Sequence, residues 1–239
     1  MDKNYTVVET SKLAAVHGGG HIYSLISDDD VQNGHIGYVG DLAEDVQGQE
    51  THEFGVFDAD TINAKRAVLV ANSEWDYDES KRTNQALYNY INKADEPFRA
   101  YSLIDGDAFA VSATGFNATG VDAIEKGQYA ILEAGETTLK IVETEAETAG
   151  YGFVVQIGDS VKRGLGFTTV GGQTYGRPST MYWVHVKRND LIDTVAATEV
   201  DIDDVADSVV DKIVADDDAI AAIAGAVAES ATPDPNPEG

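Results

Sequence analysis

Short runs of β-branched and aromatic residues alternate with glycine-rich and polar segments along most of the chain before residue 190. Such runs, bounded by Gly, Asn and Asp, predict β-strands joined by turns. In 138–142, Leu139 and Ile141 alternate with Thr138, Lys140 and Val142, which predicts an antiparallel strand with one covered and one solvated face. The candidate strands are 7–8, 22–26, 36–39, 53–57, 67–71, 109–111, 129–132, 138–142, 151–157 and 181–186. The candidate turns are 18–20, 33–34, 40–41, 105–107, 133–136, 158–160 and 171–172.

One segment before residue 100 has helical rather than alternating character. Asp78 is a suitable N-cap, and Glu79 is favourable in a first helical turn. Leu87 and Ile91 stand four residues apart, and neither Gly nor Pro interrupts the segment before Pro97. The sequence therefore predicts one internal helix over 78–92.

The hydrophobic period changes again near residue 202. Seven aliphatic side chains, here called the C-terminal stripe, follow at steps of three, four or seven residues: Ile202, Val205, Val209, Ile213, Ile220, Ile223 and Val227. This helical spacing is close to a heptad. Asp216–Asp218 interrupt it, so each helical piece has about a dozen residues and is marginal alone in water. The stripe predicts an interface. Self-association as a short coiled coil is the favoured interpretation. The alternatives are that the stripe packs on the β-rich part of the same chain, before residue 191, or on another protein.

Together these patterns predict a mainly β protein of small antiparallel barrel or sandwich units, with one internal helix and a C-terminal helical tail. The predicted organisation is a β-rich region at 1–104, a small barrel or sandwich at 105–190, an acidic amphipathic helical tail at 191–230 and a disordered end at 231–239.

Charge narrows the range of partners. The chain has 42 Asp and Glu against 16 Lys and Arg, for a formal net charge of −26, and residues 191–239 alone hold thirteen acids and one Lys. Because binding to nucleic acid requires Lys and Arg that neutralise phosphates, we expect no nucleic-acid partner. Anionic membrane surfaces are disfavoured for the same reason. A halophilic source would give a similar composition.

The chain contains no cysteine, which excludes disulfides, thiolate catalysis and Cys-based zinc sites. Residues 1–5 lack the pattern of a signal peptide. No stretch approaches the roughly eighteen apolar residues of a membrane span. We therefore expect a protein that is made in a cytoplasm and is soluble there.

Two motifs resemble catalytic or metal sites but lack the remaining chemistry. His17 and His21 flank a Gly run, yet an oxyanion loop would need a Gly-x-Ser-x-Gly elbow, and a metal site would need further ligands. Gly158-Asp159-Ser160 resembles the serine block of one esterase class, but the Asp-x-x-His that would complete a triad is absent, because Tyr182 stands three residues before His185. We expect turns at both places.

Clustered acids are candidates for binding Ca²⁺, which prefers several carboxylates around one loop. The clusters are Asp28–Asp30, Asp58 with Asp60, Asp105 with Asp107, and Asp201 with Asp203 and Asp204. None belongs to a full EF-hand pattern, and neither a phosphate loop nor a dinucleotide-binding fingerprint is present. We interpret the acids as turn and cap residues on a solvated face, and expect no metal and no cofactor.

Two stretches of the chain resemble known proteins. One runs from Ile22 to Leu42, and the other joins Trp75–Ser80 to Ala100–Ser112. Together they resemble the small head-structure proteins of tailed bacteriophages, of the capsid decoration or head-fibre kind. The Ala-rich tail with Asp-punctuated helices is also similar to the linkers and trimerising segments of phage fibres.

The resemblance implies a non-enzymatic virion structural protein on the capsid surface, which binds the major capsid protein at many equivalent sites and forms a homotrimer. Symmetric association through the C-terminal stripe would raise its avidity for the shell. One alternative is a carbohydrate-binding or host-adhesion module of a phage tail or cell surface, with Trp75, Tyr77 and Trp183 as stacking residues. Another is a hydrolase with an unusual acidic site.

Overall fold

A computed structural model describes residues 4–18, 21–44, 46, 50–74, 86–119, 123–170 and 173–192, with the backbone alone at 165–170, 174, 175 and 177. Residues 1–193 form one compact unit. Its described part is mainly β, as the sequence predicts, with a single short α-helix, α1 (Ala14–Gly18). No described helix is long and apolar enough to cross a membrane. The predicted C-terminal helical tail and its stripe lie outside the described residues.

Five strands close into a small barrel in the order β2–β4–β3–β5–β6. They are β2 (Ile22–Ile26), β3 (Ile36–Leu42), β4 (His52–Gly55), β5 (Val68–Val70) and β6 (Phe98–Ser102). All neighbours are antiparallel except β2 and β4, which run parallel. In β5, Val68 and Val70 join one buried cluster with Leu25 and Phe98, while Leu69 between them joins another. This alternation gives the barrel two buried faces.

Seven strands form a second, open sheet in the order β1–β7–β12–β11–β9–β10–β8. They are β1 (Val8–Lys12), β7 (Ala108–Ser112), β8 (Phe116–Asn117), β9 (Tyr129–Ile131), β10 (Leu139–Val142), β11 (Phe153–Val170) and β12 (Gln173–Asn189). Only β8 and β10 pair in parallel among them. The strands β7 and β12 lie inside the sheet, and every residue of β7 is buried, which explains its continuous run of small and apolar residues.

One hydrophobic cluster joins the barrel to the open sheet. The barrel contributes Leu69 and Tyr101, and the sheet contributes Phe109, Val155 and Val184 to the same cluster. The outward faces of barrel strands thus pack against one face of the sheet. The barrel and the sheet share a core, so each depends on the other to bury its apolar surface.

Three predicted elements differ from the structure. The helix expected over 78–92 lies partly outside the described residues, and the described end shows only a 3₁₀ turn at Leu87–Asn89, followed by extended backbone at Tyr90. The turn expected at 40–41 is wrong, since β3 continues to Leu42 with an irregular register. The turn expected at 158–160 is also wrong: β11 runs through it, with a register shift between Ile157 and Ser160. A bulge absorbs the residues that looked like a turn.

Candidate functional site

A β-hairpin projects from the open sheet at the ends of its two longest strands. The strand β12 pairs with β7 over Met181–His185, and β11 pairs with β9 over Val154–Gln156. Beyond these pairings, the strand pairing described for β11 and β12 is the one between these two strands, as far as the pair formed by Val170 and Gln173. We call residues 164–177 the hairpin arm. Its seven residues on the β11 side span roughly 23 Å at about 3.3 Å per residue.

The base of the hairpin arm is anchored to the sheet by packing and charge. Val161 and Met181 join a small hydrophobic cluster that also contains Val7 and Ala110. The Arg163 guanidinium lies 3.1 Å from a Glu9 carboxylate oxygen across this base. These two contacts fix the point at which the arm leaves the open sheet.

The strand ladder is interrupted where the arm begins. Gly164 pairs with Pro178, and Gly166 pairs with Arg177, so Leu165 is an extra residue on β11. Such a bulge bends the strand, and Pro178 has no N–H to donate to the ladder. No atom lies within 4 Å of the position that a Cβ would occupy on Gly164. The same holds at Gly176, so open space surrounds the arm at both places.

The charge of this region is opposite to that of the rest of the chain. Residues 160–189 contain five Lys or Arg and no Asp or Glu, whereas a stretch of this length would hold about five acids at the average frequency of the chain. Lys162 and Arg163 are exposed at the base of the arm. The acid-free run covers the arm and the strand segments on both sides of it, and four of its five bases lie outside the arm.

A groove at one end of the barrel has the opposite character. It has a volume of about 400 Å³ and contains both acidic and apolar side chains. The acids include Asp28, Asp29, Glu53 and Asp95, and Val56 contributes an apolar side chain that is 42% exposed. We call it the barrel-end groove.

His17 lies in α1 and the serine block lies in β11, where the His185 ring of β12 covers the position that a Cβ would take on Gly158. His17 and His21 are both exposed, and His17 Nε2 lies 3.1 Å from the carbonyl oxygen of Ser11. Within the serine block, Asp159 accepts a 2.7 Å hydrogen bond from the Lys126 ammonium. No group of three His, Cys, Asp or Glu in the described residues is placed to hold a metal ion.

Four acids of the described clusters, Asp30, Asp58, Asp105 and Asp107, accept hydrogen bonds from backbone amides. Asp107 is buried, and its two carboxylate oxygens accept hydrogen bonds from the N–H groups of Ala14 (2.8 Å) and Ile104 (3.0 Å). The Asp58 carboxylate accepts bonds from the hydroxyl and the N–H of Thr61, each at 2.7 Å, and these bonds hold the pKa of Asp58 below its ordinary value. Asp201, Asp203 and Asp204 lie outside the described residues.

Of Trp75, Tyr77 and Trp183, the residues proposed for sugar stacking, the structure describes Trp183. Trp183 is half-buried in β12, and the Lys12 ammonium lies 3.9 Å from the centroid of its ring. This cation–π contact occupies one face of the indole. Trp75 and Tyr77 lie outside the described residues.

One histidine that the sequence did not single out is half-buried. His35 Nδ1 lies 2.9 Å from the Thr137 hydroxyl oxygen, between the barrel and the segment that leads into β10. Burial lowers the pKa of His35 from 6.5 to about 4, so this side chain is neutral at pH 7.

No protein family, curated protein or solved structure matches the chain.

Proposed function

We propose that this chain is a non-enzymatic structural protein of a tailed-bacteriophage virion, which decorates or projects from the capsid surface. In this role it binds the major capsid protein and associates with itself as a homotrimer through the C-terminal stripe. The observation that carries the proposal is the hairpin arm.

A hairpin that projects from a sheet is stabilised when a partner covers its strand edges. A two-stranded hairpin alone is marginally stable in water, and its two outer edges present unpaired N–H and C=O groups. The arm extends roughly 23 Å from the sheet, and no described strand pairs with its outer edges. A contact with a neighbouring subunit would cover those edges, so the arm favours a protein that works inside an assembly.

The C-terminal stripe supports the same role from the sequence. Its spacing is helical, and its two pieces are too short to be stable alone. We expect the full chain to be a trimer by light scattering. Replacing Val209 and Ile213 with Asp should convert it to a monomer, because charges at buried stripe positions cannot be solvated.

A matched control is available in the same tail. Ala215 lies on the opposite side of the predicted helix from Ile213, so Ala215→Asp should leave the trimer intact. A trimer that survives V209D/I213D would show that the stripe is not the oligomer interface. The virion role itself is tested by mass spectrometry of particles purified from the phage or prophage that carries the gene. Absence of the chain from those particles would refute it.

A further inference from the structure

We propose that the hairpin arms of two copies of this chain pair edge to edge, through backbone hydrogen bonds between the β11 sides of the two arms. The contact is antiparallel and two-fold symmetric, and it is separate from the C-terminal stripe. The inference rests on the proposed assembly role and deepens it, because it names a second copy as the partner of the arm and the strand edge as the surface that meets it.

The other strand edges of the described sheets are protected against pairing. The barrel is closed, so its described strands offer no free edge. The open sheet ends on one side in β8, which has two residues. On the other side it ends in β1, which carries Glu9 and Lys12 with a register shift between them. Very short strands, charged side chains and bulges are the usual means by which a protein stops a strand edge from pairing with another chain.

The β11 side of the arm has none of these features beyond the bulge at Leu165. Residues 166–170 contain neither a charged residue nor a proline, and Phe, Thr and Val among them are enriched in strands. The backbone of this segment is already extended and paired with β12 on one side. The β12 side of the arm starts instead at Arg177 and Pro178, and both residue types protect an edge. The β11 side is therefore the edge that is open to pairing.

Charge favours a second arm as the occupant of this edge. The chain carries −26, so two copies repel each other wherever surfaces of average charge meet. Residues 164–176 carry no charge, and two arms can approach each other without this repulsion. For an uncharged edge, the favourable interaction that remains is backbone hydrogen bonding, which needs a partner with a free edge of its own.

The length of the arm keeps the acidic bodies of the two copies apart. When the pairing is centred on Thr168, in the middle of 166–170, the two copies of Gly164 lie about eight residues apart, or roughly 26 Å at about 3.3 Å per residue. Charges farther apart than about 8 Å are largely screened at physiological ionic strength. The bases of the two arms thus stand about three screening lengths apart while the arms overlap.

Pairing also stabilises the arm itself. A lone two-stranded hairpin is marginally stable in water, and three or more strands are needed for independent stability. Two arms joined along their β11 sides form a four-stranded sheet. A two-fold contact uses the same surface on both copies and closes after two of them, so each arm links its own copy to one neighbour. In a shell of trimers, three such links per trimer would add avidity to contacts that are weak singly.

Amide hydrogen exchange detects this pairing directly. In the natural full-length chain, we expect peptides covering 166–170 to exchange about tenfold or more slowly in concentrated than in dilute solution, because outward N–H groups gain partners. Peptides covering 173–177 lie on the opposite strand of the arm and should change less. Exchange at 166–170 that is fast and independent of protein concentration would overturn the proposal.

Charge placement distinguishes a second arm from any other partner. Thr168→Lys and Thr168→Glu each put a charge at the middle of the edge, where like charges of two arms would lie opposite each other. Each variant alone should weaken arm association by about fivefold, and an equimolar mixture of T168K and T168E should restore it. Docking of the arm on an acidic surface would instead strengthen association for T168K and weaken it for T168E, without rescue in the mixture, and this result would refute arm pairing.

Ser11 provides a matched control on a protected edge. It is exposed in β1, so Ser11→Lys and Ser11→Glu change the net charge by the same amounts outside the arm. Neither variant should alter the concentration dependence of exchange at 166–170. Loss of association as large as that in the Thr168 variants would assign the effect to net charge, and the proposal would be wrong.

The arm contact and the proposed function fail in different experiments. If V209D/I213D loses the trimer but keeps concentration-dependent protection at 166–170, both the stripe and the arm contact are supported. A trimer of the natural chain without arm protection at any concentration refutes the arm contact and leaves the stripe intact. Absence of the chain from purified particles, with arm protection retained, refutes the virion role and leaves the contact between copies standing.

Discussion

At the scale of single residues, buried polar side chains hold segments that have no regular structure. Asn33 and Asn92 are almost fully buried, and Asn33 Oδ1 accepts hydrogen bonds from the Asn72 N–H (2.9 Å) and from Asn92 Nδ2 (3.1 Å). His35 follows the same turn and contacts Thr137. These bonds give the two buried amides partners, and together with the isolated bridge between Val31 and Asn92 they join the segments around residues 33, 72 and 92.

The neutral state of His35 makes stability depend on pH. Below pH 6.5 the unfolded chain binds a proton at His35, while the folded chain stays neutral down to about pH 4. The free energy of unfolding should therefore fall as the pH drops through this window, by up to about 3 kcal/mol. Urea unfolding of the natural chain and of His35→Gln at pH 7 and pH 4 measures the effect as a difference, in which the carboxylates common to both chains cancel. His17→Gln, at an exposed histidine, should leave the difference unchanged. A natural chain that loses no more stability than H35Q would contradict the buried neutral state.

At the scale of elements, the barrel depends on close contact between β3 and β4. Tyr38 pairs with Gly55, and Val39 pairs with Phe54. The Tyr38 ring covers Gly55, while the Phe54 ring covers Gly37 across the two strands. Aromatic rings lying over cross-strand glycines pin the register of the pair. The two glycines are needed here for close approach rather than for a turn.

Adding one methyl group at this contact should destabilise the barrel. A Cβ on Gly37 would lie 2.5 Å from the Gly55 carbonyl oxygen, which is backbone and cannot move aside alone. We expect Gly37→Ala to lower the free energy of unfolding by about 2 kcal/mol, as overpacking usually does. Gly164→Ala at the open base of the arm is the control, and thermal unfolding followed by circular dichroism measures both. Similar effects of the two variants would argue against the reciprocal aromatic contact.

At the scale of the whole molecule, the barrel and the open sheet behave as parts of one core. Asn189 at the end of β12 ties them together. Its buried carboxamide accepts a bond from the Ala67 N–H (2.8 Å) and donates to the carbonyl oxygens of Ala67 (2.9 Å) and Leu103 (2.8 Å). Three backbone groups near barrel strands thus depend on a side chain from the sheet.

Removing the Asn189 side chain should lower the stability of the barrel and of the open sheet equally. Asn189→Ala leaves one N–H and two carbonyl groups without their partner, which costs about 3 kcal/mol. Asn63→Ala removes a similar but less buried bridge, to Gly150 and Gly152, and should cost about 1 kcal/mol. Native-state hydrogen exchange of peptides from 22–42 and 129–142 reports the barrel and the sheet separately. If N189A lowered protection in the barrel peptides alone, the barrel and the sheet would not unfold as one unit.

The local order of apolar, polar and glycine residues was enough to predict most of the strands. The run 22–26 coincides with β2, and 139–142 lies within the predicted strand 138–142, because alternation and flanking glycines act over a few residues. The turn at 105–107 also has its predicted place, with Gly106 at a positive φ of 92°. At 158–160, a glycine and two polar residues lie inside a long strand, and the local pattern predicted a turn. Pairing with β12 instead keeps these residues in the strand as a bulge.

The β-rich character, the strong negative charge and the positions of most strands follow from residue types and their spacing, so they can be predicted before folding is known. Folding adds which strands close into a barrel, that the barrel shares its core with a second sheet, and that β11 and β12 continue together into the hairpin arm. These features arise from pairing between residues far apart in the chain, such as Gly164 with Pro178 and Ala67 with Asn189. The period of apolar and polar residues along the chain does not predict such pairing, because the pairing is stabilised by contacts that exist only after folding.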